Sequence, residues 1–284
     1  MFTRANPPRY AVFAGAGQRG LAYAGVLCNL KTTYGLELCA AVLGAAGTSI
    51  GAFFALLVTC GFTSKEILAE LTATPMSELL SLNIGLLYSS YGMDDGVRLE
   101  AFVNRLLVKK LNMVKPTLKQ LYDRTLRTFI AVATDMGLYK PVYLSASTHP
   151  DMTVSRAVAI SMAIPPVFCP FKHGALTLVD GGFVDNFPMH LFPPDLTVGF
   201  RTQWNAGFSL DGFEQYFGRL CYCAMAASEA AMWEKLAPEV KARIVTIPTG
   251  NVTTIDLRLT EDEKELIIET GRGAVLSTIF SIVV

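Results

Sequence analysis

Three groups of residues in this 284-residue chain have types and spacings suited to chemistry. Gly47-Thr48-Ser49-Ile50-Gly51 is a G-x-S-x-G. Its glycines let a strand turn abruptly into a helix, so that the Ser49 hydroxyl stands at the turn as a nucleophile. Asp180 ends an apolar stretch and is followed by Gly181 and Gly182, which let another backbone or a substrate come close. The end of a strand is where α/β sites are built, and a carboxylate there can act as general base on Ser49 without an imidazole. Gly15-Ala16-Gly17-Gln18-Arg19-Gly20 joins an apolar stretch to a helix-compatible one, an arrangement that points backbone N–H groups at an anion. A nucleophile, a base and donors aimed at an oxyanion are the three parts an acyl hydrolase needs.

Each group alone also has a plainer reading. A G-x-S-x-G arises by chance in a Gly/Ala-rich core segment, and Asp-Gly is a common turn. The first motif is a literal G-x-G-x-x-G, so a nucleotide-binding site competes with an oxyanion hole. A dinucleotide site expects an acid about 20 positions on, at the end of a second strand. Glu37 instead precedes the next apolar run. In the hydrolase reading the donors come from Gly15, Ala16, Gly17 and Gln18, helped by the N–H of Ile50 after the nucleophile. Arg19 anchors that turn in preference to meeting a phosphate. The histidines, His149, His173 and His190, lie in loop-like surroundings and match no common zinc spacing.

The elements that must position these groups follow from periodicity. Tyr10 to Ala14 reads as a buried strand and Leu21 to Leu30 as a helix. From Leu38 to Gly61 there is no charged residue, enough for a membrane span of ~20 residues or for a buried strand and helix. Ala40 to Leu43 reads as its strand, Gly44 to Gly47 as a tight turn, and Ile50 to Cys60 as a helix apolar on every side. Thr63 caps a helix to about Ala73. Met76 to Gly92, rich in Leu, Ile and Tyr, reads as core, with an apolar cover over a lipid-accepting cleft as its functional alternative. Leu99, Phe102, Val103, Leu106, Leu107 and Leu111 make one helical stripe. Thr128 to Thr134, Val142 to Ser145, Ala175 to Val179, Leu196 to Phe200 and Ile244 to Ile247 read as strands. Thr153 to Met162, Phe213 to Leu236 and Thr260 to about Thr278 read as helices, the last opened by a capping box.

Composition narrows the classes. Lys+Arg and Asp+Glu balance at 24 each, so nothing attracts nucleic acid. With 51% hydrophobic and 17% charged residues, a sizeable core is expected and disorder is not. Six cysteines without a C-x-x-C pair read as reduced, mostly buried thiols. The N-terminus lacks the apolar region of a secretory signal. The expected location is cytoplasmic or peripheral to membranes, without a transmembrane span. The absence of a repeat or a Pro/Gly/Ser-rich linker predicts one domain over 1–284, with a core of about 10–200 and residues 201–284 packed on it.

Taken in order, Gly15 to Gly20, Gly47 to Gly51 and Asp180 to Gly182 resemble the signature of the patatin-like phospholipases. Ala133-Thr134-Asp135, Ala159 to Phe168, Asp180 to Pro188 and the helix from Thr260 resemble that family's connecting segments, so the likeness spans nearly the whole chain. The resemblance implies a three-layer α/β/α fold with a central, mostly parallel sheet. It implies a Ser49–Asp180 dyad cleaving phospholipid or other acyl-lipid esters through an acyl-enzyme, without cofactor, metal or calcium. Ala16 departs from the family's usual glycine; its N–H remains available if its backbone angles suit an L-residue. A catalytically idle lipid-binding protein is the remaining alternative. Any membrane contact is expected to be peripheral, through Met76 to Gly92.

Overall fold

A computed structural model describes residues 1–203, 213–250 and 260–281. Among these, eight strands form one sheet: β1 Tyr10–Phe13, β2 Gly44–Thr48, β3 Thr128–Asp135, β4 Lys140–Ser145, β5 Phe171–His173, β6 Leu176–Asp180, β7 Thr197–Gln203 and β8 Ile244–Pro248. Their order is β5-β6-β3-β2-β1-β7-β8, with β4 also paired to β3. β8, β7, β1, β2 and β3 are parallel, β4 and β6 run antiparallel to β3, and β5 runs antiparallel to β6. The helices are α1 Ala22–Tyr34, α2 Leu38–Ala41, α3 Ile50–Thr59, α4 Ser64–Ala73, α5 Ile84–Ser90, α6 Val97–Leu111, α7 Leu118–Thr125, α8 Val154–Ser161, α9 Phe213–Lys235, α10 Pro238–Lys241 and α11 Glu261–Arg272.

Alternation along β1 sends side chains to two cores. Ala11 and Phe13 join the larger one, with residues of α1, α3, α6, α8 and α11. Val12 and Ala14 join a smaller one with Phe187, Met189 and Phe192, against which Trp233 of α9 and Val240 of α10 pack. The result is a three-layer α/β/α fold around a mostly parallel sheet. No helix among the described residues is long and apolar enough to cross a membrane. The uncharged run instead forms β2 and α3, and every residue of both is buried.

β2 lies four residues beyond its expected place. Leu38–Ala41 is a short helix, and the run read as a tight turn, Gly44-Ala-Ala-Gly-Thr48, is the strand. Glycine and alanine have low β-propensity, but this strand is hydrogen-bonded on both edges, to β1 and β3. What selects small residues is α3, which lies directly on β1 and β2. A methyl group added at Gly47 would overlap the carbonyl oxygen of Gly51, and one at Gly51 would overlap those of Phe13 and Ala14. Tertiary packing therefore overrides local propensity.

Three further differences have simple causes. Met76 to Gly92 enters the core only in part: Leu79 and Leu80 pack against it, but α5 has no buried residue. The last helix stops at Arg272, where Gly273 caps it. α7, unmarked by the hydrophobic pattern because it is short, opens with a Thr117–Gln120 capping box. The boxes at Thr63 and Thr260 form as expected.

Gly51→Ala should lower stability by ~1–3 kcal/mol or more, because its methyl meets backbone that cannot rotate away. Gly273→Ala, where only ordinary contacts await, should stay within ~0.5 kcal/mol of wild type. Urea unfolding midpoints of the two variants measure the difference.

Candidate active site

The two edges of β3 are used differently. β4 pairs with one edge from Ile130 to Asp135. On the other edge β2 pairs only as far as Val132, where its partner is Thr48. β6 takes over from the next residue, with Asp180 opposite Ala133. Two strands of opposite direction thus meet end to end in one slot of the sheet. Thr48 and Asp180 occupy neighbouring rungs, which a strand spaces ~3.3 Å apart. Ser49 leaves the sheet at that junction.

Ser49 is the N-cap of α3 and holds φ 56°, ψ −129°. An L-residue there carries strain of ~1–3 kcal/mol, as expected of a nucleophile on a sharp strand-to-helix turn. The turn is held from below. Ser49 N–H donates to Ser161 Oγ at 3.0 Å, and Ser161 Oγ donates to Val132 O at 2.6 Å. Thr48 Oγ1 donates to Asp185 O at 2.8 Å.

Asp180 is fully buried. Its backbone is fixed by Asp180 N–H to Ala163 O at 2.9 Å and by Thr134 Oγ1 to Asp180 O at 2.8 Å. Oδ1 accepts from Gly182 N–H at 2.8 Å, while Oδ2 has no hydrogen-bond partner among the described residues. Burial raises the carboxyl from 3.8 to about 7; the nearby Ser49 hydroxyl and the Gly182 N–H only partly offset that. The Ser49 hydroxyl is near enough to act on Asp180 without closing a full hydrogen bond to Oδ2. No cation among the described residues acts on this carboxylate.

The glycine-rich turn lies against the same junction. A methyl group at Gly20 would overlap Ile50, and one at Gly15 would crowd Thr48 O and overlap Asn186 Oδ1. Ala16 has φ −148°, ψ 0°, outside the left-handed region that favours glycine, whereas Gly17 has φ 55°. Gly17 opens a 3-10 helix as Ile50 opens α3, and first-turn N–H groups have no acceptor within their own helix. Gly15 differs from the other expected donors: its N–H is already given to Asn186 O at 3.0 Å. Arg19 is buried, with Nε on Ala16 O at 3.4 Å and Nη2 on the Tyr222 hydroxyl. Gln18 is buried beside it.

Residues outside the three motifs complete the arrangement. Asn186 Nδ2 donates to Gly15 O at 3.0 Å and to Glu229 Oε2 at 2.7 Å, so Asn186 grips the turn by both its carbonyl and its amide. Glu229 belongs to α9 and pairs with Arg201 at 2.9 Å. α9 lies over the site: Tyr222 meets Arg19, Cys221 Sγ reaches Pro165 O at 3.5 Å, and a methyl group on Gly182 would overlap Met225. Ser49 is only 3% exposed. Ser161, Thr134 and Asn186 sat inside segments already singled out, but a lone Ser, Thr or Asn carries no sequence signal of its partner. None of the histidines bonds Ser49 or Asp180. His190 Nε2 meets the Tyr143 hydroxyl at 3.0 Å, which donates to Asp185 Oδ2 at 3.0 Å, and His149 and His173 face each other at 5.5 Å.

A strained serine beside a buried, cation-free carboxylate, at the end of a parallel sheet and against two helix N-termini, defines a candidate acyl hydrolase site of the α/β class. Comparison with known proteins gives the family. The patatin-like phospholipase model matches residues 11–193, and the chain belongs to that family; it is a lipid hydrolase. It is 29% identical to the uncharacterised protein YqhO of Bacillus subtilis (strain 168), over 92% of this chain and 94% of that one. It is 25% identical to the probable lipid hydrolase 463L of invertebrate iridescent virus 6, over 65% and 64% of the two chains. The crystal structure of VipD from Legionella pneumophila shares the fold, with TM-score 0.60 and 16% identity over 98% of this chain and 69% of that one.

The burial of Asp180 makes stability depend on pH in a defined window. Its carboxyl rises from 3.8 to about 7, so between those values the folded state keeps a proton that the unfolded chain has lost. This contribution is whole below pH ~4, declines as pH rises to ~7 and is gone above. Asp180→Asn should flatten that decline, so its stability relative to wild type should be greater at pH 8 than at pH 4.5. Urea unfolding at the two pH values measures it.

Proposed function

We propose that the protein is a phospholipase of the A type, hydrolysing fatty-acyl esters of phospholipids with Ser49 as nucleophile and Asp180 as base. The observation that carries this reading is the meeting of β2 and β6 on one edge of β3, with Ser49 and Asp180 at the junction. The Asp180 carboxylate takes the Ser49 hydroxyl proton as Oγ attacks the ester carbonyl carbon. Negative charge then develops on the carbonyl oxygen. N–H groups of the Ala16–Gln18 turn and of Ile50 receive it, with Gly15 holding the turn through Asn186 instead of donating. Collapse expels the lysolipid alkoxide, which takes the proton from Asp180. A water deprotonated by Asp180 attacks the acyl-enzyme, releases the fatty acid and returns the proton to Ser49.

In this reading residues 1–284 work as one domain. β8 extends the same sheet, and α9 closes the site that the first two hundred residues build. With Ser49 buried, a lipid enters only when α9 lifts from the Gly15–Gly20 turn, as lids do in many hydrolytic sites. A nucleotide at that turn is the weaker reading, because Arg19, its buried cation, is turned to Tyr222 and Ala16 O.

A fluorophosphonate probe should label the wild type, and Ser49→Ala should abolish labelling. Equal labelling of the variant would remove Ser49 from the mechanism. Activity should need ionised Asp180, so kcat/KM should rise with pH through about 7 and then level off. A flat profile from pH 5.5 to 8.5 would exclude Asp180 as the base. Asp180→Asn should lose at least ~10³ in kcat, more than general base catalysis alone supplies, because water attack also depends on it.

A further inference from the structure

One part of the surface contributes neither to the sheet nor to the core. From Leu82 to Tyr91 there is no charged side chain. Within that run Ile84 is 70% exposed, Tyr88 86% and Tyr91 73%. Uncharged runs of Leu, Ile and Tyr normally go inside, because leaving a large apolar side chain in water forgoes ~1.5–3 kcal/mol. This one is held outside by its neck. Asn83 N–H donates to Met93 O at 2.7 Å, closing residues 83–93 into a loop. Ser81 N–H and Gly96 N–H both donate to the buried Asp94 carboxylate, and Arg98 Nη1 donates to Leu80 O at 2.9 Å. The polar groups therefore stay at the base and the apolar ones project.

The loop's base also adjoins the candidate active site. Met93 N–H donates to Pro166 O at 3.0 Å, and Cys169 N–H donates to Asp94 O at 2.8 Å. The same short segment seats α9, through Cys221 Sγ on Pro165 O, and its first residue, Ile164, lines the cleft with Ala16 and Tyr222. Whatever docks on residues 82–91 thus lies against the entrance that α9 covers.

We propose that the loop carrying α5 is a membrane-docking surface that inserts Ile84, Tyr88 and Tyr91 into the face of a phospholipid bilayer and so brings the site entrance onto its substrate. This rests on the lipid hydrolase reading and adds where the lipid surface is met. A bilayer is the occupant the chemistry fits. The loop offers no charge to specify a protein partner or an anionic headgroup, and tyrosines beside aliphatic side chains suit the boundary between acyl chains and water. Docking is therefore hydrophobic and insensitive to salt.

Binding and hydrolysis are tested separately. In the Ser49→Ala background, which leaves lipid intact, the protein should sediment with phosphatidylcholine vesicles equally at low salt and at about 0.5 M. Adding Ile84→Asp and Tyr88→Asp should weaken this by about tenfold or more, since charge placed in the apolar zone is costly. In the active protein the two aspartates should depress hydrolysis of vesicle phosphatidylcholine while leaving that of a soluble short-chain ester unchanged. Tyr88→Trp should bind as wild type, and its added indole emission should shift to the blue when vesicles are supplied. Unchanged sedimentation of the double aspartate variant, or an unshifted emission from the Tyr88→Trp variant, overturns the proposal. So does a wild-type dimer that the aspartates dissolve, since a second copy would then own the surface. Failure of the soluble ester assay with vesicle binding intact would fall on the hydrolase reading, not on the docking surface.

Discussion

The ladder along β3 is the constraint on which the site depends. One edge of that strand carries β4 throughout, while the other carries β2 and then β6, so two strands of opposite direction end at adjacent rungs. Hydrogen-bond register, not side-chain flexibility, sets the spacing between Ser49 and Asp180. Register is cooperative, because a slip by one residue would turn every side chain of β6 to the opposite face. The surrounding bonds reinforce it. Ser161 bridges the Ser49 backbone to Val132, and Thr134 holds the Asp180 carbonyl, both using β3 as the anchor.

The arrangement has an energetic cost that suits the role proposed for Asp180. Asp180 is buried without a cation, and its free energy of ionisation is raised by the absence of water. A carboxylate near the middle of the pH scale can both accept the serine proton and return it to a leaving group. A salt bridge would have stabilised the fold better and spoiled that balance. Arg19, a buried cation nearby, instead meets Tyr222 and the turn it supports. Strain at Ser49 belongs to the same trade, since a relaxed residue would not stand at the junction.

Much of this was legible from residue types. Both hydrolase motifs mark places where backbone must pass close to backbone: Gly51 lies on β1, and Gly181 lies on the Val132 carbonyl. Capping boxes at Thr63 and Thr260 were readable because their bonds span three residues. Two local readings failed for opposite reasons. Gly44-Ala-Ala-Gly looked like a turn by propensity, yet the crossing of α3 demands small residues in a central strand. Met76 to Gly92 looked like core by composition, yet only Leu79 and Leu80 pack there, and the Asp94 neck leaves α5 in solvent.

The amino-acid sequence by itself determined the parts: a serine flanked by glycines, an aspartate followed by glycines, a glycine-rich turn and the strands and helices that bear them. Their physical signatures are local, readable over a few neighbouring residues. Tertiary structure alone decided how they meet. The junction on β3, the spending of the Gly15 N–H on Asn186, the cover of α9 and the exposure of α5 each join residues far apart in the chain. Such pairings depend on strand register and on which faces remain to be buried once the sheet has formed, and no short stretch of sequence encodes either.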